Sequence, residues 1–159
     1  MTMTPQRFMA LGFLAVALVF SSQTLSSKAL WAAEESLYER LGGTYPIAVV
    51  VDDFMNRINE NGTVNANPIS AAARLTVPLS GLKFRVIAFM VQAAGGPKVY
   101  AGRAMKEFHP RMKITAREWD AMLADLRASL YRYNVPDREL KEVIDLVNSI
   151  KGDIVTASN

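Results

Sequence analysis

The single histidine is the residue with the widest chemical scope in this chain. His109 stands in the stretch KEFHPRM and is the only histidine among 159 residues. A lone imidazole can cap a helix end or sit half exposed without a task, and it can also donate a neutral ring nitrogen to a metal ion. The residue pattern alone leaves both interpretations open.

The absence of cysteine excludes several classes of site. Disulfides, thiolate catalysis, iron–sulfur clusters and the CxxCH attachment of haem all need cysteine, and the chain has none. With one histidine the usual structural zinc sites are excluded as well, so a transition metal would need a ready-made ligand set such as a porphyrin. A hydrolytic triad through His109 is not supported, because no nucleophile motif accompanies it.

Asp52 and Asp53 are adjacent carboxylates that could suggest a shared acidic site. Neighbouring residues on a helix point about 100° apart, which is poor geometry for two carboxylates that act together. We expect both side chains to be solvated at the surface.

The first 33 residues are typical of a secretory signal peptide. Arg7 precedes an apolar run over 8–20, and a polar stretch follows it. Small residues predict cleavage near 29–33, and the run is shorter than the roughly 20 apolar residues of a membrane span. We therefore expect an exported protein, periplasmic or extracellular, with no membrane span in the mature chain; an uncleaved membrane anchor is the alternative.

The remaining residues predict one domain over 34–155 and a short tail over 156–159. The leader holds two of the positive charges and no acid, so the net charge of +3 for the whole chain falls to +1 without it. Acidic and basic residues are interspersed, with no basic block. Nucleic acid is therefore not an expected partner.

Apolar residues recur at helical spacing through every long segment, and no segment alternates as a half-buried strand would. Prolines, glycines and a capping box formed by Thr115 and Glu118 mark where helices begin and end. The pattern predicts an all-α fold with four substantial helices, beginning near Pro46, Leu79, Thr115 and Pro136.

Two segments are less regular. Residues 61–81 contain two prolines and two glycines, so we expect a loop with a short helical piece near 69–75. Only one or two helical turns fit between the glycine pair at 95–96 and His109. Because a residue before proline is pushed out of the helical region, His109 should lie at the end of that helix or just beyond it.

The mature chain resembles the truncated haemoglobins of group I over nearly its whole length. LYERLGGTYPIAVVVDDF is similar to that family's short first helix, double glycine and B helix. The family's E helix, its GGPxxYxGRxM turn and its short F segment with the proximal histidine are similar to LKFRVIAFMVQAAGGPKVYAGRAMKEFH. Its G and H helices are similar to KITAREWDAMLADL and VPDRELKEVIDLVNSIK, respectively. The resemblance implies a two-over-two helical sandwich, noncovalent haem b, and His109 as the iron ligand.

The resemblance also implies which residues surround the haem. Lys83 and Arg85 are similar to E-helix cations that lie near the haem propionates in the family. The other wall residues are apolar or aromatic and could equally be ordinary core, so their assignment depends on that of His109. The implied haem-binding residues are Phe54, Met55, Leu82, Arg85, Val86, Phe89, Tyr100, Met105, Ile114 and Trp119.

The distal side departs from the family pattern. Met55 stands where the family usually has a tyrosine, Val86 stands where a glutamine is common, and Leu82 occupies the distal gate. These side chains offer no evident hydrogen-bond donor. Residues 61–81 are longer than the family's equivalent connection, so no residue roles are transferred across them.

The resemblance implies reversible binding of a diatomic gas, with oxygen and nitric oxide as the main candidates and carbon monoxide as a further ligand. Turnover stays open, because nitric oxide dioxygenation needs a redox partner and the apolar pocket argues mildly against it and against peroxidase-like chemistry. Two alternatives remain. Met55 could join His109 as a second axial ligand in an electron-transfer haem protein, or the chain could be a haem-free interaction domain with a globin-like fold.

Overall fold

The computed structural model describes residues 34–158, so the predicted signal peptide over 1–33 lies outside the described residues, as does Asn159. Helices dominate the described part. In chain order the elements are α1 (Leu37–Arg40), α2 (Thr44–Glu60), α3 (Gly62–Asn65), α4 (Pro68–Leu75), α5 (Leu79–Ala93), α6 (Met105–Phe108), a 3-10 turn (His109–Met112), β1 (Ile114–Thr115), α7 (Ala116–Arg132), α8 (Asp137–Ser149), α9 (Lys151–Ile154) and β2 (Val155–Ala157).

The four substantial helices predicted from the sequence are α2, α5, α7 and α8, and the structure confirms them. Helix α2 packs against both α5 and α7, and α7 packs against α8. The predicted capping box opens α7, where the Thr115 hydroxyl accepts a hydrogen bond from the Glu118 backbone N–H. Seventeen buried apolar residues, including Trp119 and Val91, form one core, most of them on these four helices, and burial of this surface is the main force that holds the helices together.

Helix α5 is apolar on more than one side. Ala88 and Val91 pack into the core, with 6% and 1% of their surface exposed, whereas Phe84, nearer the N-terminal end of the helix, is 70% exposed. Within residues 34–158 no single helix has both the length and the hydropathy of a membrane span, although α4 and α5, bent by 100° at their junction, pass that test as a pair.

The all-α expectation missed one small sheet. Strands β1 and β2 pair in parallel, with Ile114 opposite Val155 and Thr115 opposite Ala157. Two and three residues are too short to show an alternating pattern, so no sequence signal marked them. Gly152 lies within α9, and β2 follows directly over Val155–Ala157.

The irregular stretch over 61–81 contains two helices. The predicted piece near 69–75 is α4, and the one-turn helix α3 precedes it. An asparagine caps each of them: the Asn61 side-chain oxygen accepts from the backbone of Thr63 and Val64, and that of Asn67 caps α4 in the same way. Four residues are too few for a periodic pattern, which is why α3 was missed.

Asp53 is buried between α2 and α7, so the prediction that it is solvated was wrong. Its carboxylate accepts hydrogen bonds from Arg57 Nε at 2.7 Å, Ser129 Oγ at 2.8 Å and Arg132 Nη1 at 2.9 Å. Burial raises the pKa of Asp53, but the hydrogen bonds from Arg57 and Ser129 and the nearby positive charges outweigh it and hold the pKa below its ordinary value. Asp52 remains exposed on another face of α2.

We expect Asp53→Asn to lower the free energy of unfolding at pH 7 by about 2 kcal/mol. Breaking a buried ion pair costs about 3–5 kcal/mol, and the loss is smaller here because Arg57 and Arg132 are partly solvated. Because the folded pKa is depressed, the contribution of Asp53 is present above its unfolded pKa of about 3.9 and is lost as the pH falls through the folded value. Urea unfolding at neutral and acid pH measures both effects.

The matched control is Asp52→Asn, which removes an exposed carboxylate paired with Lys83. That change should cost less than about 1 kcal/mol, as surface ion pairs do. Equal losses from the two variants, or an acid dependence that is unchanged in Asp53→Asn, would contradict the buried role of Asp53.

Candidate functional site

A cavity of about 730 Å³ lies among α2, α5, α7 and the segment that carries His109. The volume is within the range of small-molecule and cofactor sites. His109 and all ten residues of the implied haem-binding set line this cavity: Phe54, Met55, Leu82, Arg85, Val86, Phe89, Tyr100, Met105, Ile114 and Trp119. Residues that are far apart in sequence are thus brought to one place.

His109 ends α6 and begins the 3-10 turn. Its backbone angles are helical, with φ −64° and ψ −34°, so the prediction of its position is confirmed while the expected non-helical conformation was wrong. The turn overrides the preference that Pro110 imposes: Lys113 N–H donates to Pro110 O, and Thr156 Oγ1 donates to the same oxygen from β2. The residue whose backbone departs from helical angles is Phe108, with φ −122°.

The His109 ring is held by the carbonyl of Met105. The distance from His109 Nδ1 to Met105 O is 3.1 Å. A carbonyl only accepts, so this bond requires the proton on Nδ1 and leaves the lone pair on Nε2. Burial lowers the pKa of His109, and the hydrogen bond to Met105 opposes that effect only in part. The half-buried ring is therefore neutral at pH 7 and can act as a metal ligand.

The turn before α6 is packed around Tyr100. The Tyr100 hydroxyl donates to Arg103 O at 2.9 Å, and its ring meets Phe89 edge to face with centroids 5.5 Å apart. A Cβ atom at Gly102 would overlap the Tyr100 ring and hydroxyl, so any larger residue there would force the Tyr100 side chain to move. This close approach fixes the path of the chain that leads into α6 and His109.

Asn67 ties α4 to the turn that carries His109. Its side-chain nitrogen donates to Met112 O at 3.0 Å and contacts Lys113 O at 3.4 Å, while its oxygen caps α4. Lys113 has φ 50°, the left-handed conformation in which this turn ends. One asparagine therefore links the irregular stretch to the position of the imidazole.

Met55 is 5% exposed and packs in the cavity wall, with Leu82 and Val86 half-buried beside the same cavity. None of these three side chains carries a hydrogen-bond donor, as expected from the sequence. Polar wall residues that the sequence analysis missed lie on α4, where Ser70 is buried and Arg74 donates to its hydroxyl at 3.0 Å. Their spacing of four residues, which places both on one side of a helix, was the only sequence signal for a shared role. Both residues lie within 61–81, the stretch to which no roles were transferred from the family.

The sequence model of the family described as Bacterial-like globin matches residues 36–156. The chain belongs to this family. It is 30% identical over 112 residues to the group 1 truncated hemoglobin of Synechocystis sp., which covers 68% of this chain and 86% of that protein. It is 27% identical over 125 residues to that of Mycolicibacterium paratuberculosis, covering 79% and 88% of the two chains.

The crystal structure of the group II truncated hemoglobin from Bacillus anthracis matches with a TM-score of 0.69 at 20% identity, over 80% of this chain and 95% of that one. The 2/2 hemoglobin from Synechococcus sp. matches with a TM-score of 0.63 at 26% identity, over 76% and 98%. The predicted fold and family are confirmed: this chain is a truncated globin of group I, with helices α2, α5, α7 and α8 as its sandwich.

Globins are haem-binding proteins with gaseous ligands, and the site of this globin fits haem. The cavity is large enough for a cofactor and is walled mainly by apolar and aromatic side chains. A neutral imidazole is the usual protein ligand of globin iron, and His109 supplies one with Nε2 free of intramolecular hydrogen bonds among the described residues. The donor set and the shape of the site therefore agree with the family.

Of the two cations expected near the propionates, only one lines the cavity. Arg85 is exposed and lines the cavity. Lys83 does not line it; its ammonium contacts Asp52 Oδ1 at 2.6 Å. The Trp119 indole, which is 2% exposed, donates to Asn148 Oδ1 at 3.4 Å, so that its buried N–H has an acceptor.

Proposed function

We propose that this globin is exported, holds haem b noncovalently through His109, and reversibly binds oxygen or nitric oxide. The observation that supports this most is the His109 ring, which is neutral, half-buried and fixed by Met105 O, with Nε2 available beside an apolar cavity. The absence of cysteine agrees with a noncovalent cofactor. When bound, haem would supply an iron centre that can bind a gas.

Different residues of this chain have different roles at such a site. Met105 O orients the imidazole and raises its basicity through the hydrogen bond from Nδ1, as carbonyl partners of ligating histidines do. Met55, Leu82 and Val86 exclude water from the distal side. They stabilise no charge on a bound gas, because none of them donates a hydrogen bond.

The lack of a hydrogen-bond donor at Met55, Leu82 and Val86 predicts fast oxygen release. Oxygen accepts a hydrogen bond at its iron site better than carbon monoxide does, and losing such a bond costs about 0.5–1.5 kcal/mol, or about 1.5–3 kcal/mol with a charged donor. We expect weak discrimination against carbon monoxide and oxygen release that is roughly tenfold to hundredfold faster than in a globin with a distal donor. Stopped-flow measurement of oxygen release tests this, and slow release contradicts it.

Export is part of the proposal because of the apolar run over 8–20 and the small residues that follow it. Fractionation of cells that express the full chain, with N-terminal sequencing of the product, tests it. We expect a mature chain that begins near residues 30–34 outside the cytoplasm. A protein that retains Met1 in the membrane fraction would instead identify an uncleaved anchor.

Met55 supports one second candidate. It is buried and lines the same cavity as His109, and a thioether paired with imidazole is the axial set of electron-transfer cytochromes. That arrangement would leave no free axial position, so the reduced protein would be low-spin and resist carbon monoxide. The spectrum separates the two candidates directly.

A further inference from the structure

Arg74 is a cation in the cavity wall whose hydrogen-bond partners are neutral. It is half-buried on α4, and its guanidinium donates to Ser70 Oγ at 3.0 Å and to Asn65 Oδ1. Among residues 34–158 no carboxylate forms an ion pair with it. A guanidinium carries five N–H donors, and these two bonds leave others for the cavity.

Other arginines of this chain differ from Arg74 because they are paired with carboxylates. Arg40, Arg57 and Arg138 each contact a carboxylate, and these carboxylates raise their pKa. Burial lowers the pKa of Arg74, and only the charge of Glu118, which forms no ion pair with it, opposes that effect. One oxygen of the Glu118 carboxylate is already engaged, since Oε2 accepts from Thr115 N at 2.7 Å and from Thr115 Oγ1 at 2.9 Å.

A desolvated cation without a counterion is costly, and the cost falls when an anion enters beside it. Ser70 and Asn65 hold the guanidinium in place, so little side-chain freedom remains to be lost when an anion binds. A planar guanidinium also matches a carboxylate in a two-bond arrangement better than an ammonium does. The position, the charge and the planar shape of the Arg74 guanidinium therefore all favour one class of ligand, a group with anionic oxygens.

We propose that Arg74 binds an anionic oxygen group, a carboxylate or small oxyanion, within the cavity. The group can come from a haem propionate, in which case the inference rests on the haem function proposed above, or from a free anion. In either case α4 carries an anion-binding cation in the cavity wall. The two sources are separable by experiment.

The first arm measures release of hemin, and of hemin dimethyl ester, from the loaded mature chain to an excess of an apoglobin. Arg74→Gln keeps hydrogen-bonding capacity without the charge, and the exposed Arg127→Gln is the matched control. If a propionate is the ligand, Arg74→Gln should release hemin about tenfold to hundredfold faster, while release of the ester changes little. Arg127→Gln should match the wild type with both cofactors.

The second arm measures the thermal midpoint of the same proteins with sodium formate at constant ionic strength. Stabilisation of the wild type and of Arg127→Gln, but not of Arg74→Gln, identifies a free anion as the ligand. Arg74→Lys keeps the charge and should retain part of whichever effect is seen, which guards against a general loss of structure. Circular dichroism checks that each variant is folded.

The proposal is overturned if Arg74→Gln matches the control in both arms. It is also overturned if the wild type neither distinguishes hemin from its ester nor responds to formate. A wild-type chain that takes up neither cofactor would defeat the haem function alone, and the formate arm would then decide the anion site by itself.

Discussion

His109→Ala should release haem at least about a hundredfold faster than the wild-type chain. Disturbing even the hydrogen-bond partner of a metal ligand typically costs tenfold to hundredfold in affinity, and this variant removes the ligand itself. Among residues 34–158 there is no second histidine to replace it, and the chain has no cysteine. The release rate and the Soret spectrum measure the loss.

Rescue separates loss of the ligand from loss of the fold. His109→Gly leaves room for free imidazole, and adding imidazole should restore the wild-type spectrum and slow haem release. Met112→Ala is the matched control, since Met112 lines the same cavity on the same turn but carries no strong ligand. If Met112→Ala loses haem as fast as His109→Ala, packing rather than ligation holds the cofactor.

Met55→Tyr should slow oxygen release by roughly tenfold to hundredfold. The change adds a hydroxyl donor to a wall that has none at Met55, Leu82 or Val86, and one hydrogen bond to a partly charged ligand accounts for an effect of that size. Carbon monoxide release should change far less, because that ligand accepts a weaker hydrogen bond. Stopped-flow mixing measures both rates on one sample.

Met55→Phe is the control for this variant. Phenylalanine brings the same ring into a position that is 5% exposed, without the hydroxyl. If Tyr and Phe slow oxygen release equally, steric hindrance and not a hydrogen bond is responsible. If neither changes it, the wall at residue 55 does not face the gas.

The long helices could be predicted from sequence because their signals are local. The apolar stripes of α2, α5, α7 and α8 repeat over three or more turns, and the capping box at Thr115 fixes where α7 begins. The backbone conformation of His109, before Pro110, could not be predicted from local signals. A dipeptide preference favoured a non-helical His109, but hydrogen bonds from Lys113 and Thr156, one of them distant in sequence, stabilise the helical turn.

Burial of Asp53 illustrates what a helical pattern leaves out. The spacing placed Asp52 and Asp53 on different faces, yet it did not say that one face would meet α7. Asp53 is retained in the interior by Ser129 and Arg132, which lie more than seventy residues away in sequence. Such partners become visible only when two helices are packed together.

The cavity wall was predictable only through the family resemblance. Periodicity cannot distinguish an apolar residue that packs in the core, such as Val91, from one that lines a cavity, such as Val86. The resemblance supplied that distinction for the matching segments. It supplied nothing for 61–81, and that is the stretch in which Ser70 and Arg74 were missed.

The central claim is that His109 holds haem in a site open to a gas. The most direct test is the visible spectrum of the purified mature chain, supplied with haem, in ferric, ferrous and carbon monoxide states beside His109→Ala. We expect a Soret band that shifts with carbon monoxide and is lost or altered in the variant. A ferrous low-spin spectrum that resists carbon monoxide, or a folded helical protein that takes up no haem, would contradict the account.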